Sequence, residues 1–141
     1  MEQAFREKLM NWSNRSSRFA LHNHIRVLDV DDGRSVVALD LAEDSLNRWG
    51  APHGGALFTL ADTAVGVATL TVWRQTCVTL DTRTEYITVA EPAGRLTATA
   101  TVRHCGGHIC FCGSEITDAQ GRLIARMEAS VYKLGQELPG L

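Results

Sequence analysis

The N-terminal segment alternates apolar and charged residues with the period of a helix. Phe5, Leu9 and Trp12 recur at steps of four and three residues, and Glu2, Arg6, Glu7 and Lys8 lie among them. This spacing predicts an amphipathic helix over residues 2–17.

Most of the remaining chain has the two-residue alternation of strands. Residues 25–30 and 34–41 flank an Asp-Asp-Gly turn at 31–33, which predicts a hairpin. Residues 96–103 and 123–131 alternate small apolar residues with polar ones. Further strands are predicted over 77–89, which is rich in Thr, Val and Ile, and over 109–117. Tight turns join the last three strands, so the sheet should be largely antiparallel.

One segment, residues 54–73, is apolar on every face and contains a single charge, Asp62. Its length would allow a membrane span. A mid-segment aspartate, four threonines and the surrounding strands favour instead a helix that the protein itself encloses. We therefore expect an α+β domain with one long buried helix against the sheet, and no membrane association.

Composition narrows the class of protein. The chain of 141 residues has a formal net charge of -2, is 21% charged and is 45% hydrophobic, which is typical of one globular domain and not of a nucleic-acid binder. It has no secretory signal pattern, and its four cysteines do not form a disulfide framework. These features favour a cytoplasmic protein.

Asp62 is the first candidate for chemistry. A lone carboxylate among apolar residues is costly unless water or a hydrogen-bond donor satisfies it. Asp62 either faces water or bonds a nearby hydroxyl such as Thr59 or Thr63, or it lies in a mostly dry cleft, poised to activate water or to attack a carbonyl.

The second candidate is His53-Gly54-Gly55, directly before the apolar segment. Glycines at a helix start let a ligand approach the backbone closely, and the first turn offers free N–H groups at the positive end of the dipole. This arrangement suits either an oxyanion hole or an ordinary tight turn.

The spacing of the two candidates matters. Asp62 follows Gly54 by eight residues, or roughly 12 Å along a helix axis. One substrate carbonyl cannot contact both in the same helix. If both serve one reaction, they come from two subunits with antiparallel helices, and two-fold symmetry creates two sites.

These residues resemble a known family. The stretch 47–64, with Asn47 six residues before His53-Gly54-Gly55 and then Leu-Ala-Asp-Thr-Ala around Asp62, is similar to the hot-dog thioesterases of the phenylacetate-degradation (PaaI-like) group. The resemblance extends over about residues 20–134, within a single domain of 1–141. It implies the hot-dog fold, in which a curved antiparallel sheet wraps a long central helix, and hydrolysis of a small aryl or medium-chain acyl-coenzyme A. It also implies a homo-oligomer, either a dimer or a dimer of dimers (a homotetramer), with active sites between subunits.

The resemblance also implies roles for individual residues. Asp62 corresponds to the catalytic base or nucleophile, and Gly54 to the glycine whose N–H polarises the carbonyl. Asn47 corresponds to an asparagine that places the carbonyl or water, and His53 to a histidine near the sulfur. Thr79 falls, by count, where relatives have a hydroxyl bonded to the water or to the carboxylate.

Substrate binding beyond the reacting atoms is predicted for Gly55 and for two arginines. Relatives carry Gly-Lys in a later turn where this chain has Gly106-Gly107, so the coenzyme A phosphates need another cation. Arg83 and Arg103 are the candidates, followed by Arg126.

Other chemistries fit less well. Cysteines and histidines crowd between residues 104 and 112, but they lack the usual ligand spacing for zinc, so no metal and no cofactor are expected apart from the coenzyme A of the substrate. A non-catalytic acyl-coenzyme A binder and an enoyl-coenzyme A hydratase or dehydratase remain alternatives on the same fold.

Overall fold

The computed structural model describes all residues from Met1 to Leu141 and contains three α-helices and six strands. The helices are α1 (Gln3–Ser16), α2 (Arg18–His22) and α3 (Gly54–Trp73). The strands are β1 (Ile25–Asp31), β2 (Arg34–Asp40), β3 (Gln75–Tyr86), β4 (Arg95–Cys105), β5 (Ile109–Thr117) and β6 (Leu123–Glu137). A single 3-10 turn, Glu43–Ser45, lies before α3.

The predicted elements all form, with three differences. Strand β3 ends at Tyr86, three residues before the predicted limit at residue 89. The N-terminal helix ends at Ser16, and a second short helix, α2, follows directly after Ser17. Strand β6 continues to Glu137, six residues beyond the segment predicted from the alternating pattern, because β3 supplies a hydrogen-bonding partner for that extension.

The strands form one antiparallel sheet in the order β1-β2-β4-β5-β6-β3. Helix α3 lies against one face and contacts every strand. Small residues on α3, among them Ala61, Ala64 and Ala68, are fully buried and allow this close approach. The buried Ser35 hydroxyl donates to the Ala64 carbonyl at 2.7 Å, tying β2 to the middle of the helix.

By length and composition alone, α3 could cross a membrane. More than half of its apolar stretch is buried inside the protein, as expected for the core helix of this fold. Helix α3 ends where Arg74 adopts a left-handed conformation (φ 53°) and its N–H bonds the Leu70 carbonyl at 2.9 Å. This reversal sends β3 back alongside the helix.

The two edges of the sheet differ. Helix α1 lies on the β1 edge, where the Asn14 amide bonds both the N–H and the carbonyl of Val27 at 2.8 and 2.9 Å. The Arg6 guanidinium donates to the Val30 carbonyl at 3.0 Å. The other edge is β3, where Val78 and Leu80 are 43% and 56% exposed and no element of the chain covers them.

Candidate active site

Asp62 lies on the side of α3 that faces the start of β3, where it is half-buried. The Thr79 hydroxyl donates to its Oδ1 at 2.8 Å, and Oδ2 makes no hydrogen bond or ion pair within the chain. One carboxylate oxygen is thus held in place and the other is free to accept a proton or to attack. The bond joins two residues seventeen positions apart, so the fold itself creates the pair.

The start of α3 presents an unoccupied donor. His53 is the N-cap residue, and its Nδ1 accepts from the Gly55 N–H at 2.8 Å. This bond leaves the proton of a neutral His53 imidazole on Nε2 and takes up the Gly55 donor. The Gly54 N–H has no acceptor within the chain and lies at the positive end of the helix dipole.

Tyr86 lies over this helix start and was not among the residues predicted from sequence. Its hydroxyl donates to the Gly54 carbonyl at 3.2 Å, and its ring would lie 3.5 Å from a Cβ at Gly54. The sequence offers one indication of this placement. Residues two apart in a strand share a face, so Tyr86 lies on the same face of β3 as Thr82 and Thr84, and the Thr84 hydroxyl is buried.

Asn47 shapes the loop that leads into α3. Its side-chain Oδ1 accepts from the backbone N–H groups of Trp49 and Ala51 at 2.9 and 3.1 Å. The backbone N–H of Asn47 donates to the Ala51 carbonyl at 2.7 Å. The side-chain oxygen is therefore already bonded within the loop, and the side-chain nitrogen Nδ2 is the group left to donate to a ligand.

The helix separates the two reactive features. Gly54 and Asp62 lie eight residues apart on α3, or roughly 12 Å along its axis. One protomer therefore holds a half-buried carboxylate at Asp62 and an unpaired N–H at Gly54, too far apart for one carbonyl group to contact both.

Arg83 and Arg103 lie on the sheet face opposite α3. The Arg103 guanidinium crosses above Gly113 and donates to both carboxylate oxygens of Glu128, at 2.6 Å for the closest contact. This pairing holds the pKa of Glu128 below its usual value. Arg83 lies 3.4 Å from Glu85 and is 80% exposed. The structure brings neither arginine to Asp62 within one protomer, and their contact with substrate stays a prediction.

Cys77 lies near Asp62 on β3 and is partly buried. Burial, with smaller contributions from Cys110 and Asp62, raises the pKa of the Cys77 thiol to about 11. The thiol is therefore protonated at neutral pH and poorly suited to act as a nucleophile. No group of three or more His, Cys, Asp or Glu side chains is arranged to share a metal ion.

Known proteins are similar to this chain in sequence and in architecture. Residues 50–125 match the thioesterase superfamily. The chain is 31% identical over 120 residues to the acyl-coenzyme A thioesterase PaaI of Escherichia coli, covering 82% of each protein.

Solved structures agree. The structure of the E. coli PaaI protein from the phenylacetic acid degradation operon superimposes with a TM-score of 0.87 at 26% identity, over 93% of this chain and 94% of that one. A hypothetical thioesterase protein of Streptococcus pneumoniae, solved with coenzyme A, superimposes with a TM-score of 0.81 at 27% identity, over 92% of this chain and 99% of that one. With the long helix enclosed by a six-stranded antiparallel sheet, these matches show that the chain has the hot-dog fold and belongs to the thioesterase superfamily, within its PaaI-like group.

Proposed function

We propose that this protein hydrolyses the thioester of a small aryl or medium-chain acyl-coenzyme A, with Asp62 as general base or nucleophile. The observation that carries this proposal is the Thr79–Asp62 hydrogen bond, which fixes one carboxylate oxygen and leaves the other free. Similarity to an acyl-coenzyme A thioesterase supports the substrate class.

The chemistry follows from the groups in the site. The thioester oxygen accepts from the Gly54 N–H, at the helix end that favours developing negative charge. Asp62 Oδ2 takes a proton from water as the water oxygen bonds to the carbonyl carbon. The tetrahedral intermediate then collapses and the C–S bond breaks, giving the carboxylic acid and the coenzyme A thiolate. Asp62 returns the proton it took to the thiolate or to solvent, which regenerates the carboxylate.

The leaving group needs little help, because a thiol is acidic, with a pKa of about 8.5 for a cysteine side chain. His53 can donate from Nε2 to the departing sulfur, and the Asn47 amide nitrogen can orient the carbonyl or the water. In the nucleophilic variant, Oδ2 attacks the carbonyl carbon, expels the thiolate and forms a mixed anhydride that water then cleaves. Neither route uses a metal or a further cofactor.

The active site would form between two protomers, because Gly54 and Asp62 of one chain are too far apart. The uncovered β3 edge supports this arrangement, since a long exposed strand with apolar side chains is a template for pairing with a second copy. Two-fold pairing would bring the start of one α3 toward Asp62 of the other and create two equal sites. We propose a dimer or a dimer of dimers acting in the cytoplasm.

Replacement of Asp62 tests the proposal. Free thiol is measured with an acyl-coenzyme A panel for the wild type, Asp62→Asn and Asp62→Ala, with thermal unfolding as the folding control. Both variants should lose most turnover while the fold stays intact. Near-normal turnover in both would remove Asp62 from the mechanism.

The Thr79–Asp62 bond is tested separately. Thr79→Val keeps the shape and removes the donor, so it should lower kcat by about tenfold or more. Thr79→Ser retains the hydroxyl and serves as its matched control.

If the wild type binds acyl-coenzyme A without releasing thiol, the protein is a binder. Hydration of an enoyl thioester without thiol release would identify a hydratase.

A further inference from the structure

A cavity of about 560 Å³ begins at Asp62 and Thr79 and continues away from them beneath the N-terminal helices. Its volume is within the range of pockets that hold small molecules. Half of its twenty lining residues are hydrophobic, and they come from α1, α2, β1, α3, β3 and β6. The cavity is thus a cleft, partly open to solvent, that adjoins the candidate carboxylate directly.

The cavity follows the axis of α3. Asp62, Gly66 and Leu70 line it at successive turns of the helix. These three positions span roughly 12 Å. The end away from Asp62 is lined by Thr76, near the start of β3, and by Trp12 and Leu138. The Trp12 indole N–H donates to the Pro139 carbonyl at 2.7 Å, which fixes the ring against the C-terminal segment.

We propose that this cavity receives the acyl group of the substrate, and that Trp12 at its far end and Gly66 on its wall determine the acyl size accepted. The inference rests on the proposed thioesterase function and deepens it. An acyl group entering beside Asp62 has its carbonyl carbon next to the carboxylate and its tail directed along α3, with the N-terminal helices as the roof.

Gly66 lines the cavity without a side chain to fill it. A Cβ at this position would meet no atom within 4 Å, although the neighbouring α3 positions Val65 and Val67 are buried. Packing within the protomer therefore does not require a small residue at this position. A larger side chain here would project into free space beside the path of the acyl chain and shorten the cavity one turn beyond Asp62.

Trp12 determines the far limit. It is partly buried against the core and belongs to α1, which is held to β1 by Asn14 and Arg6 independently of the indole. Removing the ring should therefore lengthen the cavity without releasing the helix. Trp12→Phe retains an aromatic wall and loses only the hydrogen bond to Pro139.

The test compares kcat/KM for acetyl-, decanoyl- and tetradecanoyl-coenzyme A. Gly66→Leu should lower the decanoyl-to-acetyl ratio by about tenfold or more, since each methylene misplaced in an apolar pocket changes discrimination by at least that order. Val72→Leu, which adds bulk on an exposed part of α3 outside the cavity, is the control. Trp12→Ala should raise the tetradecanoyl-to-decanoyl ratio more than Trp12→Phe. Unchanged ratios in Gly66→Leu, or an equal shift in Val72→Leu, would overturn the assignment.

A binding measurement separates this inference from the proposed function. Calorimetry measures decanoyl-coenzyme A binding to Asp62→Asn with and without Gly66→Leu. If the wild type releases no thiol from any substrate, hydrolysis is refuted, while weaker binding caused by Gly66→Leu still supports the pocket. If the wild type is active and Gly66→Leu changes neither binding nor the substrate ratio, the pocket is refuted and hydrolysis stands.

Discussion

The Gly54 N–H can be removed without disturbing the helix that carries it, by the substitution Gly54→Pro. Gly54 is the first residue of α3, where proline is favoured because its missing N–H has no intrahelical partner. The preceding residue, His53, already has φ -67° and ψ 137°, the extended conformation that proline requires before it. A Cβ at Gly54 would meet the Tyr86 ring at 3.5 Å, an ordinary contact.

The expected magnitudes differ for folding and catalysis. A proline at a compatible position reduces the freedom of the unfolded chain, so stability should be retained or rise by about 0.4–1 kcal/mol. Loss of one oxyanion donor typically lowers kcat by about 10²–10³, or about 2.7–4 kcal/mol of transition-state stabilisation. Gly54→Ala is the matched control, because it adds the same Cβ beside Tyr86 and keeps the N–H.

The assay measures thiol release at saturating acyl-coenzyme A for both variants, with Tm from thermal unfolding. The ratio of the alanine to the proline rate isolates the contribution of the single N–H. If the folded Gly54→Pro protein turns over within about threefold of Gly54→Ala, the carbonyl does not depend on this donor. The proposed oxyanion role of the α3 start would then be wrong.

Three further outcomes are expected. Equal amounts of inactive Asp62→Asn and Gly54→Pro, unfolded and refolded together, should regain about a quarter of wild-type activity. Half of the dimers would then contain one variant chain of each kind, and one of their two sites would have both residues intact. An inactive mixture containing verified heterodimers would show that both residues act within one protomer. Alkylation of Cys77 by iodoacetamide, followed by peptide mass spectrometry, should be about ten- to a hundredfold slower near neutral pH than for a thiol of pKa 9.0. The pKa raised to about 11 lowers the thiolate fraction, and the higher reactivity of that thiolate offsets part of the loss. The rate should increase with pH up to that value, and an ordinary rate at pH 7.5 would contradict the raised pKa. Asn14→Ala should lower the free energy of unfolding by about 1–3 kcal/mol, because two hydrogen bonds to the Val27 backbone are lost, and denaturant titration would show no change if α1 were held by other contacts alone.

Much of the fold follows from local patterns. The turn at residues 31–33, the two-residue alternation of the later strands and the uniformly apolar segment 54–73 place every major element within a few residues of its observed bounds. The exceptions lie where local pattern is weak: Ser17 interrupts the N-terminal helices, and β6 continues beyond residue 131 because β3 pairs with it. Strand order is not encoded in such patterns, since β3 lies next to β6 and not next to the strand that follows it.

The candidate site likewise contains residues that local sequence indicates and residues that only tertiary contacts bring into it. The carboxylate and the helix start stand out in the sequence because one breaks an apolar run and the other begins it. Thr79 could be named through the family resemblance, but its 2.8 Å contact with Asp62 depends on the reversal at Arg74. Tyr86 and Trp12 follow the periodicity of their own elements, and that periodicity does not mark them as site residues. Their importance arises from tertiary contacts with Gly54 and Pro139, which spacing along the chain does not show.

The unequal edges of the sheet limit how this protein can assemble. A sheet with two available edges can add copies at both ends without limit, as in a fibril. Here the outward backbone groups of Val27 and Val30 already bond side chains of α1, so no incoming strand can use them. Growth through the remaining edge therefore stops after one addition, and the step that would complete two catalytic centres also terminates polymerisation.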